Sequence, residues 1–308
     1  ILEETLRCKD DAAPDGYREE KLTIRITKRG PVISSVFSQL ETERVLSLRW
    51  ASAESMTSSA EFTRTMQARS VESFRQALRQ WNAIQLNFVF ADRQGNIGWQ
   101  VSGALPIRST GDGTVPCVVR NGRDNWSGWI PFEEMPQVVN PEWGYIANAN
   151  NDPVGTTLDN NPYNQLRPGA NGIYYLDFGY ADFRQGRVDR VLQEMVDSGQ
   201  PITPEDMMDL QANNQLLDAE LTLPTLLGVM SQVQVPVGSP MAQALDVLST
   251  WDYSSPTGLA EGWDAGDDPN MAVPPDAEEM RHAAAATIFA MWRSMLVKNT
   301  IDATLTAV

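Results

Sequence analysis

Asn87-Phe88-Val89-Phe90-Ala91-Asp92-Arg93-Gln94-Gly95-Asn96-Ile97-Gly98-Trp99-Gln100-Val101-Ser102 reads as two strands folded back on a tight turn. Aromatic and β-branched residues favour extended backbone, and Asp92-Arg93-Gln94-Gly95 supplies turn chemistry between them. Residues 87–91 carry almost no polar face, which predicts a central strand buried on both sides. Just upstream, Val71, Phe74, Ala77, Leu78 and Trp81 recur at helical spacing behind Ser70, a candidate N-cap. One amphipathic helix is therefore expected in front of the paired strands. Further toward the N-terminus, residues 21–26 alternate with period two, as a half-buried strand does. Gly30-Pro31 then turns the chain into strand-like residues 32–37, and residues 45–50 read as another short strand. Residues 1–16 are charged and punctuated by Pro and Gly, without periodicity. Residues 115–119 and 145–147 are the remaining strand-like pieces.

The grammar changes after about residue 184. Val188, Val191, Leu192, Met195 and Val196 sit at i, i+3, i+4, i+7 and i+8, an amphipathic helix. Thr203-Pro204-Glu205-Asp206 is a helix start with a mechanism: Thr as N-cap, Pro at the first helical position, acids in the first turn. Helical text continues from 216 to about 250, with breaks expected near Pro224 and over 236–240. Residues 253–276 form an acidic loop rich in Pro, Gly and Asp, without the spacing of an EF-hand. An Ala-rich helix runs from about Asp276 to the end. Sheet first and helices after is an α+β arrangement.

The chain has 308 residues, with 24 Lys+Arg against 40 Asp+Glu and a formal net charge of −16. This charge argues against nucleic acid and anionic membrane surfaces as partners, because both demand a basic patch. A single His, His282, excludes a zinc site built on several His, and two Cys exclude a Cys-rich cluster. A catalytic triad running through His is not expected either. The apolar stretch within 283–308 carries Arg293, Lys298 and Asp302, so it reads as a buried helix and not a membrane span. Ile1-Leu2-Glu3-Glu4 lacks the basic and apolar regions of a signal peptide. Cys8 and Cys117 are either small spectator thiols or, in an oxidising compartment, a disulfide.

Among chemistry-bearing residues, no spacing selects an acid/base pair from the abundant carboxylates. Of the nine Trp, those in turn-rich text (Trp126, Trp129, Trp143) could stack on sugars or fill the core. Asn125-Trp126-Ser127 matches a glycosylation sequon too short to carry weight. One segment is unusual: Gly144-Tyr145-Ile146-Ala147-Asn148-Ala149-Asn150-Asn151-Asp152-Pro153. Asn is disfavoured in strands, and its amide needs partners once buried. The cluster reads either as an Asx-turn network or as a carboxamide aimed into a site as a fixed donor, which an oxyanion hole requires.

At these residues the chain resembles the penicillin acylase (penicillin amidase) family of N-terminal nucleophile hydrolases. The resemblance is an ordered series: residues 87–99, Trp126-Ser127-Gly128-Trp129-Ile130-Pro131-Phe132, Asn140-Pro141, residues 144–151, Arg187-Val188-Asp189-Arg190-Val191-Leu192, Leu223-Pro224-Thr225-Leu226 and Leu248-Ser249-Thr250-Trp251-Asp252. No single piece identifies the family; their order and spacing do.

The resemblance implies a precursor that cleaves itself into two chains, a heterodimer whose larger chain begins with the nucleophilic Ser. The α-amino group of that Ser, with a pKa of about 8, acts as the base, which suits a chain with one His. By position Asn150 matches the oxyanion-hole Asn of relatives. Arg184 is the best match to an Arg near the nucleophile, with Arg187 as its rival. Relatives also carry a structural Ca²⁺, for which Asp159 and then Asp152 are the candidates; no organic cofactor is implied. The implied fold is part of the αββα sandwich of these hydrolases followed by a mostly helical region. Residues 1–44 are then the tail of a β-rich insertion, 45–184 a partial sheet core with one helix, and 185–308 the helical region with its acidic loop.

Residue 1 is Ile, and the residues before Tyr17 do not resemble the nucleophile-bearing start; Lys28-Arg29-Gly30-Pro31 also lacks the His that relatives often place before Gly-Pro. The expectation is an internal piece of the larger chain, inactive alone. Its partners would be the rest of the same precursor, namely the small chain and the nucleophile-bearing start, and a small-molecule N-acyl substrate. The reaction expected of the whole is hydrolysis of a linear amide, such as the acyl side chain of a β-lactam, in the periplasm or outside the cell. Two other classes stay open: a binding protein of the same fold without a nucleophile, and a Trp-rich carbohydrate-binding module.

Overall fold

A computed structural model describes residues 1–36, 45–55, 59–108, 116–118, 126–150, 183–256, 258 and 273–305. These fall into two units, one of residues 1–146 and one of residues 147–150 with 183–305, and each is considered by itself.

The first unit opens with strand β1 (Leu2–Lys9) paired antiparallel with β2 (Tyr17–Ile24), in register from Leu2↔Ile24 to Lys9↔Tyr17. Half of the stretch without periodicity is therefore strand. A two-stranded ribbon leaves both faces wet, so no alternation is imposed on its sequence. For the same reason Leu22 and Ile26 are exposed rather than half-buried. The strand breaks at Arg25, and β3 (Ile26–Thr27) pairs with β4 (Gly30–Pro31). Residues 32–36 do not continue as a strand: Val32 makes one bridge to Ser47, and Ser34–Val36 is a 3-10 turn, while Phe37 lies outside the described residues. Residues 45–50 likewise contribute that bridge and no ladder.

Gly30 has φ +100°, and a Cβ there would overlap the Leu48 carbonyl oxygen. Both the left-handed backbone and the close approach exclude a side chain. Gly30→Ala is expected to cost at least ~1 kcal/mol, read as a lowered urea midpoint.

Among the described residues three α-helices precede the paired strands where one is expected: α1 (Ala51–Glu54), α2 (Ser59–Gln67) and α3 (Val71–Leu78). The four-residue α1 has no side-chain cap and too few turns to show a period. Helix α3 is the one legible in sequence. Ser70 Oγ accepts from the Ser73 amide at 3.1 Å while Ser73 Oγ accepts from the Ser70 amide at 2.9 Å, a reciprocal capping box.

Strand β5 (Asn87–Ala91) pairs with β6 (Ile97–Val101), β7 (Pro106–Arg108) pairs with β8 (Trp126–Trp129), and β9 (Gln137–Val139) joins β6 on its other side. In the order β5-β6-β9 the central strand is β6, with Trp99 and Gln100 both fully buried. The reading of 87–91 as a strand buried on both sides is thus corrected. Phe88 and Phe90 turn toward α3, where Phe74 meets Phe90 at 4.8 Å and Phe88 at 5.8 Å, and Phe88 also meets Trp81, just past the helix, at 5.2 Å. Val89, on the opposite face, is 49% exposed. Gly98 lies under the Phe90 ring, where a Cβ would overlap it. The other face of β6 places Trp99 and Val101 against Ile130 and Met135.

The turn itself is tied to the helix. Asp92 accepts from the Gln94 and Asn96 amides, both at 3.0 Å, and from the Val71 amide at the start of α3 at 3.2 Å. The Asn96 side chain and these amides hold the Asp92 carboxyl below its ordinary range. Residues 116–118 and 145–147 have no regular secondary structure.

The second unit is helical: α4 (Phe183–Asp197), α5 (Pro204–Ala212), α6 (Leu217–Met230), α7 (Pro240–Ser249), α8 (Ala277–Val297) and a closing turn α9 (Ala303–Leu305). Its starts follow the sequence. Thr203 and Asp206 form a capping box, Ser239 caps α7 with Pro240 behind it, and Asp276 with Glu279 caps α8. The break expected at Pro224 is absent: α6 runs through it. Leu223 beside it is buried in the core with Ala219, Leu248, Trp251, Ala285 and Phe289, and that packing outweighs one lost backbone hydrogen bond. Ionic links join the same helices, Arg190 to Glu220 and Arg293 to the buried Asp218.

Candidate functional site

The Asn-rich segment begins where the sheet ends. Asn140, at φ +48°, accepts from the Ile97 amide and donates to Asn96 Oδ1, both at 2.9 Å, so its side chain extends the ladder beyond Val139. A turn closes with the Gly144 amide donating to the Pro141 carbonyl at 3.0 Å. Further on, the Asn150 amide donates to Asn148 Oδ1 at 3.2 Å, an Asx turn. Asn150 itself has φ +69°, a left-handed conformation that Asn tolerates better than other residues with a side chain.

Arg184 lies in the first turn of α4, and its Nη2 donates to the Ala149 carbonyl at 2.8 Å and to Asn150 Oδ1 at 3.0 Å. The structure therefore brings the two sequence-selected residues together within one unit. This contact also orients the amide. A guanidinium has donors only, so the atom facing it is the carboxamide oxygen, and the NH₂ points away. Among the described residues no acceptor engages that NH₂. Of the two readings of the Asn cluster, the Asx turn is present.

Arg187, the rival of Arg184, is engaged elsewhere. Its Nε donates to Asn213 Oδ1 at 3.1 Å and its Nη2 to Gln215 Oε1. Asn213 Oδ1 also accepts from the Gln215 amide at 3.2 Å. Between the two Arg residues, Gln185 is buried and donates to Asp189 at 2.8 Å, and Gly186 faces Leu217 closely enough that a Cβ would lie 2.7 Å from its Cδ2. Sequence reasoning did not single out Asn213 or Gln215; the polar run Asn213-Asn214-Gln215 directly after α5 is the signal that marks them.

Asp152 and Asp159 lie outside the described residues, as does Trp263. Among the described residues no group of three His, Cys, Asp or Glu is gathered as a metal site. No described helix is long and apolar enough to cross a membrane. Trp81, Trp99 and Trp251 fill cores, Trp126 and Trp129 stack on each other at 5.6 Å, and Trp50 and Trp143 are exposed. A cavity of about 390 Å³ in the first unit is lined by Trp81, Trp129, Phe132 and Met135 with Glu54 and Arg79. Its charges are already committed, Glu54 to Arg49 at 2.7 Å and Arg79 to Glu133.

His282 is held inside the second unit rather than at its surface. Its Nδ1 lies 3.2 Å from Asp252 Oδ1 and 3.1 Å from Ser254 Oγ. Both partners meet the same ring nitrogen, whereas a catalytic triad uses both nitrogens, so the trio ties a loop to α8 and does not form a nucleophile. Burial pushes the Asp252 carboxyl up, but the Ser254 hydroxyl and amide and the nearby imidazole together bring it below its ordinary value. A depressed folded-state value stabilises at pH above the unfolded value, and that contribution disappears as pH falls through the folded one. Asp252→Asn is accordingly expected to flatten the acid limb of the stability–pH curve below about pH 4, measured by thermal unfolding.

The chain matches the family described as penicillin amidase over residues 1–307. It is 30% identical over 253 residues to penicillin G acylase of Escherichia coli, covering 81% of this chain and 27% of that protein. It is 34% identical over 136 residues to the acyl-homoserine lactone acylase QuiP of Pseudomonas fluorescens, covering 44% of this chain and 17% of that protein. The chain thus spans about a quarter or less of these curated relatives. Among solved structures, a thermostable penicillin G acylase from Alcaligenes faecalis superposes with a TM-score of 0.56 at 17% identity, over 98% of this chain and 61% of that one, a likeness of fold.

Proposed function

The chain belongs to the penicillin amidase family, and from that membership we propose that the whole protein hydrolyses a linear amide by acyl transfer, with the Asn150 carboxamide in its oxyanion hole. The single observation supporting this role is the Arg184–Asn150 contact, which leaves one face of a pre-oriented amide NH₂ available to a developing negative charge. In the proposed reaction an N-terminal Ser hydroxyl, supplied from outside these 308 residues, adds to the substrate carbonyl. Its proton passes to its own α-amino group and then to the leaving amine as the C–N bond breaks. Water next cleaves the acyl-enzyme. The carbonyl electrons rest on oxygen in both tetrahedral intermediates, and Asn150 donates to that oxygen in each. Arg184 keeps the carboxamide from inverting.

The same proposal takes the β5-β6-β9 sheet, with α3 against it, as part of an αββα sandwich. It includes a Ca²⁺ held through Asp159 and Asp152, through which no step passes, and a periplasmic or secreted location. The named relatives act on penicillin G and on acyl-homoserine lactones, so the substrate proposed here is an N-acyl compound of that kind. The test compares amine release from chromogenic N-acyl amides by the full-length protein and by the isolated 308-residue chain. Turnover by the first alone supports the proposal; turnover by the isolated chain, abolished in Asn150→Ala, would show that the nucleophile lies within it.

A further inference from the structure

We infer that Arg187, Asn213 and Gln215 form a clamp that positions the oxyanion donor through the first turns of α4. The inference rests on the role proposed for Asn150. Arg184 can fix Asn150 only as well as the first turn of α4 is itself fixed, and a helix terminus is the part of a helix that frays. This turn is held by contacts of the two residues that follow Gln185. Gly186 lets Leu217 at the start of α6 approach closely, and one residue later Arg187 reaches across to two acceptors of the 213–215 segment.

That segment is anchored in turn. Gln215 bridges to Ser254, the Leu216 amide donates to the Tyr253 carbonyl at 2.8 Å, and the Ser255 amide donates to the Asn214 carbonyl at 3.1 Å. Ser254 also meets His282 on α8, so the chain of contacts from Asn150 ends in the helical core. A guanidinium suits this task because its planar fork engages Asn213 and Gln215 together, which a lysine ammonium cannot do. Arg187 touches no reacting atom in this arrangement. It is a positioning residue acting through Arg184 and Asn150.

The experiment measures kcat and KM in the full-length protein for Arg187→Ala, Arg187→Lys, Asn213→Ala and Asn150→Ala, and for Arg187→Ala combined with Asn150→Ala. Arg187→Ala is expected to lower kcat ~10- to 100-fold with KM changed less than about threefold. Asn213→Ala and Arg187→Lys fall between it and the parent, and Asn213→Ala carries the test if Arg187→Ala does not fold. In the combined variant the Arg187 substitution adds no further loss to that of Asn150→Ala, since its effect runs through Asn150. Losses that multiply, or an Arg187→Ala protein with unchanged kcat and only a lower unfolding midpoint, overturn the clamp and leave the Asn150 assignment standing. An Asn150→Ala protein with normal kcat overturns the assignment, and the clamp with it.

Discussion

Asn150→Ala in the full-length protein is expected to lower kcat by about two to three orders of magnitude, near 3 kcal/mol of transition-state stabilisation, with little change in KM. The magnitude follows from where the donor works. A neutral NH₂ fixed before the substrate arrives gains most when the carbonyl oxygen becomes an anion, and little while it is still a carbonyl. Arg184 and the Asx turn have already restricted the Asn150 side chain, so no ordering is required in the transition state. Asn150→Asp is the informative companion. It keeps the shape and exchanges the Arg184 hydrogen bond for an ion pair, yet it places an acceptor where the donor was. Its folded stability should equal or exceed the parent's, and its kcat should be no higher than that of Asn150→Ala. Steady-state kinetics with one chromogenic amide measure all three proteins.

The largest stability effect is expected at Phe289. This ring is fully buried on α8 among Ala219, Leu223, Leu248, Trp251 and Ala285, and it stacks on Trp251 at 5.8 Å. Ala219 and Ala285 leave no side chain long enough to collapse into the space a missing ring would create. Phe289→Ala should therefore cost ~3–5 kcal/mol, of the order of a whole domain's stability, and urea unfolding should show it as a large fall in midpoint. Met291→Ala on the same helix is the control, because Met291 is 63% exposed and its loss should cost less than ~1 kcal/mol.

What the sequence discloses depends on how local its cause is. Ser70, Thr203, Ser239 and Asp276 cap helices through atoms within three residues, and each helix start is legible for that reason. The Asp92–Gly95 turn is local too. Which of the two paired strands is central is not, because that depends on β9 arriving some 40 residues later beside β6 (Val139 pairs with Gly98). Strand β1 and the first half of β2 escape detection because neither face of the ribbon is buried, and periodicity records burial rather than strand. Pro224 misleads in the opposite sense, since Leu223 and Ala219 hold α6 through it.

The candidate site shows the same division. Asn150 stands out as an Asn cluster in extended text, and Arg184 through its place before a helix. That Arg184 and not Arg187 reaches Asn150 goes with the engagement of Arg187 by the 213–215 segment, which is not visible as a motif. The contacts of His282 with Asp252 and Ser254 are of the same non-local kind, since both partners come from a loop about 30 residues earlier in the chain.

The central claim, that the Asn150 carboxamide stabilises an oxyanion, is tested most directly by comparing two ligands in the full-length protein and its Asn150→Ala variant. One is a boronic acid bearing the acyl group, which forms a tetrahedral anion on the nucleophilic hydroxyl; the other is the planar carboxylic acid product. The account expects the variant to lose about 100-fold in affinity for the boronic acid while binding the product within about threefold of the parent. Equal losses for both ligands, or none for either, would contradict it.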